Sequence, residues 1–148
     1  MTPPDRPAPG CRADYVAFCS HSTRWNDNDV YGHMNNVVHY ALFDSTVNQW
    51  LIGAGVLDPR QGAQIGLVAE TGCRYHGEMG FPDTITAGLR VARLGSSSVR
   101  YEIGLFRNDD DRSSAEGFFV HVYVDAVTRR PQPLAPSLRA ALERLVRA

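Results

Sequence analysis

The sequence predicts an α+β domain in which an antiparallel sheet wraps around one long central helix, and three observations carry that prediction. One helix-period apolar stripe lies in the first third of the chain, strand-period alternation fills most of the remainder, and the later connections are short. Links that short join antiparallel neighbours and exclude parallel crossovers. An apolar sheet face also needs a cover, and only one helix is long enough to supply it.

Each element follows from local spacing. Met1 to Gly10 holds four prolines and no apolar h-region, so it is expected to be neither a signal peptide nor an anchor. It reads as a disordered Pro-rich lead over 1–12, ahead of a single domain over 13–148. Val16 and Phe18 mark a short first strand within Asp14 to Ser20. Thr23 to Asn36 is polar and turn-rich. The period then changes: Tyr40, Phe43, Val47, Trp50 and Leu51 recur at helical spacing. Asn35 or Asn36 suits the N-cap, because its side-chain oxygen can accept from an unpaired first-turn N–H. Gly53 and Gly55 suit the stop. A helix of roughly 17 residues would be about 25 Å long, enough to cross a sheet.

Ile65 to Tyr75 reads as a strand made less regular by Gly66 and Gly72. Ile85, Ala87, Leu89 and Val91 alternate with polar or small residues, as do Val99, Tyr101, Ile103 and Leu105. Leu94-Gly95-Ser96-Ser97 links these two as a hairpin. After a solvated turn at Asn108 to Asp111, a last strand runs from Phe118 to Asp125, with Phe118, Val120, Val122 and Val124 on one face. Pro131, Pro133 and Pro136 lead into a short helix, Ser137 to Val146.

Composition narrows the partners. The 148 residues are 43% hydrophobic and 21% charged, with a formal net charge of −1. No basic run interleaves with aromatics, which argues against nucleic acid. No apolar run approaches the roughly 20 residues that span a bilayer, so no membrane partner is expected. Cys11, Cys19 and Cys73 lack metal-ligand spacing and read as free thiols, which suits a reducing, cytoplasmic location.

Polar functional groups concentrate in residues 24 to 36, Arg-Trp-Asn-Asp-Asn-Asp-Val-Tyr-Gly-His-Met-Asn-Asn. Some of this is turn chemistry, since Asp and Asn bond nearby backbone. Asp27-x-Asp29-x-x-Gly32 matches the start of an EF-hand loop, but Tyr31 and Val38 stand at its fifth and twelfth positions. Asp27, Asp29 and His33 form a weak metal set, so no metal or cofactor is expected. The better chemical reading uses the helix that follows. Its unpaired N–H groups and partial positive charge can hold a developing oxyanion, and a carboxylate just ahead can act on the carbonyl. A thioester suits such a site. No Gly-x-Ser-x-Gly elbow offers an alternative.

The run Asp27-x-Asp29-x-x-Gly32-His33-Met34-Asn35-Asn36, continued through Asp44, resembles the signature of the 4-hydroxybenzoyl-CoA thioesterase-like hotdog superfamily. Weaker matches extend through Thr71 to Tyr75, Phe81-Pro82-Asp83, and Val122 to Asp125 leading into Arg130-Pro131 and Pro136. The resemblance implies a hotdog fold and an acyl-CoA, or acyl-carrier-protein, thioesterase without a separate cofactor. It implies Asp29 as the catalytic carboxylate, as nucleophile or general base. It puts the oxyanion donor at the helix start, at Asn35 or Asn36, and makes Tyr31, Gly32, His33, Tyr75 and His76 the expected substrate contacts. It further implies a homodimer or a homotetramer built as a dimer of dimers, with sites at the subunit interface.

Departures set bounds on this. The 4-hydroxybenzoyl enzyme has Pro-Ala where this chain has Val30-Tyr31, and it lacks the His-Met-Asn-Asn run, so an aromatic acyl group is not implied. His39 stands where many relatives have Tyr. Asp44, in the helix body, is the rival carboxylate, because another hotdog branch keeps its acid there. Arg74, Arg90, Arg93, Arg100, Arg129 and Arg130 are all available to CoA phosphates. A hydratase or dehydratase pairing Asp29 with His33 or His39, and a non-catalytic acyl-CoA binder, are the competing readings.

Overall fold

The computed structural model describes residues 6–147, and their architecture is a five-stranded antiparallel sheet curved around one helix. The order along the chain is β1 (Ala17–Ser22), α1 (Asn36–Gly53), β2 (Gln64–Tyr75), β3 (Thr84–Leu94), β4 (Ser98–Arg107), β5 (Ala115–Asp125) and α2 (Pro136–Glu143). In space the strands run β1-β3-β4-β5-β2, so β1 and β2, joined through α1, form opposite edges. This is the expected α+β hotdog arrangement.

The α1 boundaries follow from capping. Asn35 Oδ1 accepts from the Val37 N–H at 3.1 Å, and the helix ends near Gly53, before Gly55 at φ +73°. Phe43, Val47 and Leu51 are buried, as the stripe requires, together with two polar residues outside it, His39 and Thr46. The core face of the sheet is Ile85, Ala87, Leu89 and Val91 on β3 with Val99, Tyr101, Ile103 and Leu105 on β4, as the alternation predicts. Contact between α1 and the sheet depends on Gly117, where an added Cβ would lie 2.3 Å from the Phe43 ring.

β1, β5 and the N-terminal lead differ from expectation, and α2 ends at Glu143 where Val146 was expected. β1 starts at Ala17, and Val16 and Phe18 are 40% and 49% exposed. As an edge strand β1 turns Ala17, Cys19 and His21 inward instead. β5 begins at Ala115; Gly117, Phe119, His121 and Tyr123 on its inner face are buried, as are Ala115 and Val124 near its ends. Phe118, Val120 and Val122 take the opposite, outer face. The lead expected over 1–12 lies partly outside the described residues. Within them it is tied down: Gly10 N–H donates to Glu116 Oε1 at 2.5 Å, Cys11 bridges to Arg112, and Arg6 donates to the Tyr75 carbonyl.

Candidate active site

The loop ahead of α1 is built by Asp27. Its buried carboxylate accepts from the Arg24 backbone N–H at 2.8 Å on Oδ2 and from the Arg24 guanidinium at 2.9 and 3.2 Å on Oδ1. Its carbonyl accepts from the Asn35 N–H at 2.8 Å. Both carboxylate oxygens and the carbonyl are therefore committed to folding the loop. Asn28 and Met34 bridge across it, and the segment after β2 holds it in place: Met34 N–H donates to the Met79 carbonyl at 2.8 Å, and Phe81 N–H donates to Asn28 Oδ1 at 2.9 Å.

Asp29 is held differently. Its Oδ1 accepts from the Tyr31 and His33 N–H groups at 2.8 and 3.2 Å, while no described donor reaches Oδ2. The turn closes through Gly32 N–H to the Asp29 carbonyl at 3.2 Å. Gly32 sits at φ +82°, a conformation that favours glycine. One oxygen thus fixes the carboxylate and the other is available for chemistry.

The start of α1 supplies the complementary group. Asn35 takes the Val37 N–H with its side chain and the Val38 N–H with its carbonyl, at 3.1 and 2.8 Å. That leaves the Asn36 N–H without an acceptor among the described residues, at the positive end of the helix dipole. His39 lies buried one turn on, its Nδ1 3.3 Å from the Asn35 carbonyl. The His39 ring meets the Tyr75 ring edge-on at 4.9 Å, which brings Tyr75 beside the first turn. Desolvation, with Cys73 nearby, pushes the Tyr75 phenol up to about 12, so it remains a neutral hydrogen-bonding group at neutral pH.

Asp29, Tyr31, Gly32 and His33 therefore share one loop, and Asn35, Asn36 and Tyr75 meet at the helix start. The His33 ring turns to Glu78, with Nε2 3.2 Å from Oε1. His76 is not brought to the group. Its buried ring lies 3.8 Å from Glu116, on the sheet face opposite α1. Asp44 is exposed, bonded to Asn48 at 3.0 Å, and about 12 Å along the helix axis from Asn36. Of the arginines, Arg74, Arg90 and Arg100 gather in an outer-face crevice of about 350 Å³, where Arg90 and Arg100 share Glu102.

Sequence reasoning missed Asn28, Glu78 and Arg107. Arg107 pairs with Asp83 at 3.0 Å and lines a hollow of about 170 Å³ with Gly32, His33, Glu78 and Phe81. The signal for this neighbourhood was the Phe81-Pro82-Asp83 turn, which holds the Asp29 loop from behind. A second cluster, Cys19, His21 and Thr46, offers no thiol nucleophile activated by His21. The Thr46 hydroxyl donates to the Leu42 carbonyl at 2.7 Å, so its oxygen can only accept from His21 Nε2 at 3.0 Å. Nε2 then carries hydrogen and cannot serve as base for the Cys19 thiol 3.3 Å away. Among the described residues no three His, Cys, Asp or Glu side chains converge as a metal site.

The fold is a hotdog sheet around a capped helix, and the family match makes its class that of the thioester hydrolases. The model of the thioesterase-like superfamily matches residues 23–142, and the chain belongs to that superfamily. The PA5185 protein of Pseudomonas aeruginosa is 47% identical, with 95% of this chain and 98% of that one covered and a TM-score of 0.91. The PA2801 protein of the same organism, described as a candidate thioesterase, is 28% identical over 86% of this chain and 98% of its own, at a TM-score of 0.79. A 1,4-dihydroxy-2-naphthoyl-CoA thioesterase from Synechocystis shares the fold at 12% identity and a TM-score of 0.77, over 84% of this chain and 93% of that one. No curated protein matches the sequence.

Proposed function

We propose that the protein hydrolyses acyl-CoA thioesters, with Asp29 Oδ2 acting at the thioester carbonyl and the Asn36 N–H receiving the oxyanion. The observation that carries this reading is the pairing of a fixed carboxylate, one oxygen unclaimed, with an unclaimed N–H at the start of the next helix. The chemistry asks little more. A thioester is electrophilic, and its thiolate leaves without strong acid assistance. Attack by Oδ2 gives an acyl–aspartyl anhydride that water then cleaves, whereas base catalysis delivers hydroxide directly. One turnover in ¹⁸O-labelled water separates the routes, since only the anhydride route can leave label in Asp29.

The geometry gives less support to a hydratase. His33 is turned to Glu78 and His39 to the Asn35 carbonyl, so neither is paired with Asp29 as an acid–base partner. The deciding experiment is thiol release across short, long, branched and aromatic acyl-CoAs and carrier-protein thioesters, with Asp29→Asn as control. Full activity in that variant would overturn the assignment of Asp29. Saturable binding with no turnover of any thioester would indicate a non-catalytic binder.

Assembly belongs to the same proposal. β2 is a 12-residue edge strand, paired among the described residues only with β5, and it exposes Leu67, Val68 and Tyr75. Edges of that length and character pair with another strand, and the β2 edge of a second copy is the natural partner. The site residue Tyr75 would then lie at the junction of the two subunits.

A further inference from the structure

A cavity of about 380 Å³ lies toward the C-terminal end of α1, between that helix and the edge strand β1. It has the size of small-molecule sites, roughly 300–1,000 Å³, and shares no lining residue with the Asp29 loop. Ala17, Leu89 and Trp50 make apolar walls, Gln49 is exposed at the rim, and the inner polar atoms belong to Cys19 and Thr46. Those atoms are already bonded to one another and to His21 and Leu42. The interior therefore asks for no polar partner, and the part of an occupant that enters should be hydrocarbon.

The cavity also carries a charge. The exposed Arg144 lines it, with its guanidinium 5.7 Å from the Trp50 ring, and no described carboxylate pairs with it. The carbonyl end of α1 lies here too and carries only about half a negative charge. The full positive charge of Arg144 outweighs it, so the cavity favours an anion. Packing of Arg144 on Trp50 would by itself need no cavity beneath the pair.

We infer that this cavity binds an aliphatic carboxylate, with its chain between β1 and α1 and its carboxylate on Arg144. That chemical class is what hydrolysis of an acyl thioester releases, so the cavity would sense product; this link alone rests on the proposed function.

The test is titration of the full chain carrying Trp25→Phe, which leaves Trp50 as the only tryptophan. The probes are decanoate, decanol and decyltrimethylammonium, each kept below micelle-forming concentrations. Trp50 emission reports occupancy, and mass spectrometry after alkylation reports protection of Cys19 against Cys11 and Cys73. Decanoate is expected to bind tightest, to saturate the emission change and to slow alkylation of Cys19 selectively. Arg144→Gln should weaken decanoate about threefold to tenfold, as loss of a charge-assisted pair at an exposed rim does, and leave decanol unchanged. Asp29→Asn should bind decanoate normally, which keeps this result separate from catalysis. No Trp50 response, equal affinity for decanoate and decanol with no effect of Arg144→Gln, or protection of Cys73 in place of Cys19 would each overturn the inference.

Discussion

At the scale of single residues, Asp27 and Asp29 show how two carboxylates two positions apart take different tasks. Asp27 is buried with every oxygen committed, and Asp29 keeps one oxygen available. Substituting each should therefore separate activity from stability. Asp29→Asn retains a carbonyl oxygen for the Tyr31 and His33 N–H groups, so its denaturation midpoint should stay near the parent value. Its rate of thiol release should fall about 10²–10⁴-fold, as when a catalytic acid–base group is removed. Asp27→Ala should cost about 1–2 kcal/mol in urea unfolding, because the Arg24 N–H loses its acceptor. The motif favours Asp29 as the proposed carboxylate. It did not reveal why Asp27 is unsuited, because the bonds that commit Asp27 depend on how the loop folds back on Arg24.

At the scale of elements, α1, β3 and β4 were legible because each shows one period and one buried face. β5 was misleading. Phe118, Val120, Val122 and Val124 form the more apolar alternating set, yet Gly117, Phe119, His121 and Tyr123 face the helix. The reason is proximity: α1 comes so close that Phe43 occupies the space a side chain at 117 would need. Hydrophobicity cannot announce a position chosen for small size. Gly117→Val should accordingly be severely destabilising, by about 1–3 kcal/mol or more from overpacking, measured by thermal or urea unfolding. Phe43→Leu in the same chain should recover part of the loss. The outer-face location of His76 was also beyond the sequence, since it depends on which side of the sheet the chain takes as it leaves β2.

At the scale of the whole molecule, three buried or half-buried histidines set a pH dependence. Burial lowers the pKa of His21, His39 and His121 below the usual 6.5, and for His121 the Asp44 charge opposes the shift only in part. The unfolded chain then takes up protons first as pH falls, so stability is fullest above about pH 6.5 and declines below it. The slope cannot exceed about 1.4 kcal/mol per pH unit for each proton, and half-buried His21 should contribute less than that ceiling. Urea midpoints between pH 7.5 and 5 should fall accordingly, and His121→Phe should flatten the decline. Assembly provides a second test at this scale. Val68→Lys places a charge on the β2 edge and should convert the expected dimer to monomer in light scattering, with loss of activity.

The strand order has a consequence for how the protein is made. β2 leaves the ribosome about fifty residues ahead of β5, the only strand among the described residues that pairs with it. During that interval translation has produced a long apolar strand with no internal neighbour, beside a helix whose sheet does not yet exist. Nascent chains close together on one messenger would present the same bare edge to each other. A pause that holds β2 outside the ribosome while β5 is still inside should therefore favour aggregation or binding by chaperones, whereas a pause after β5 has emerged should be harmless.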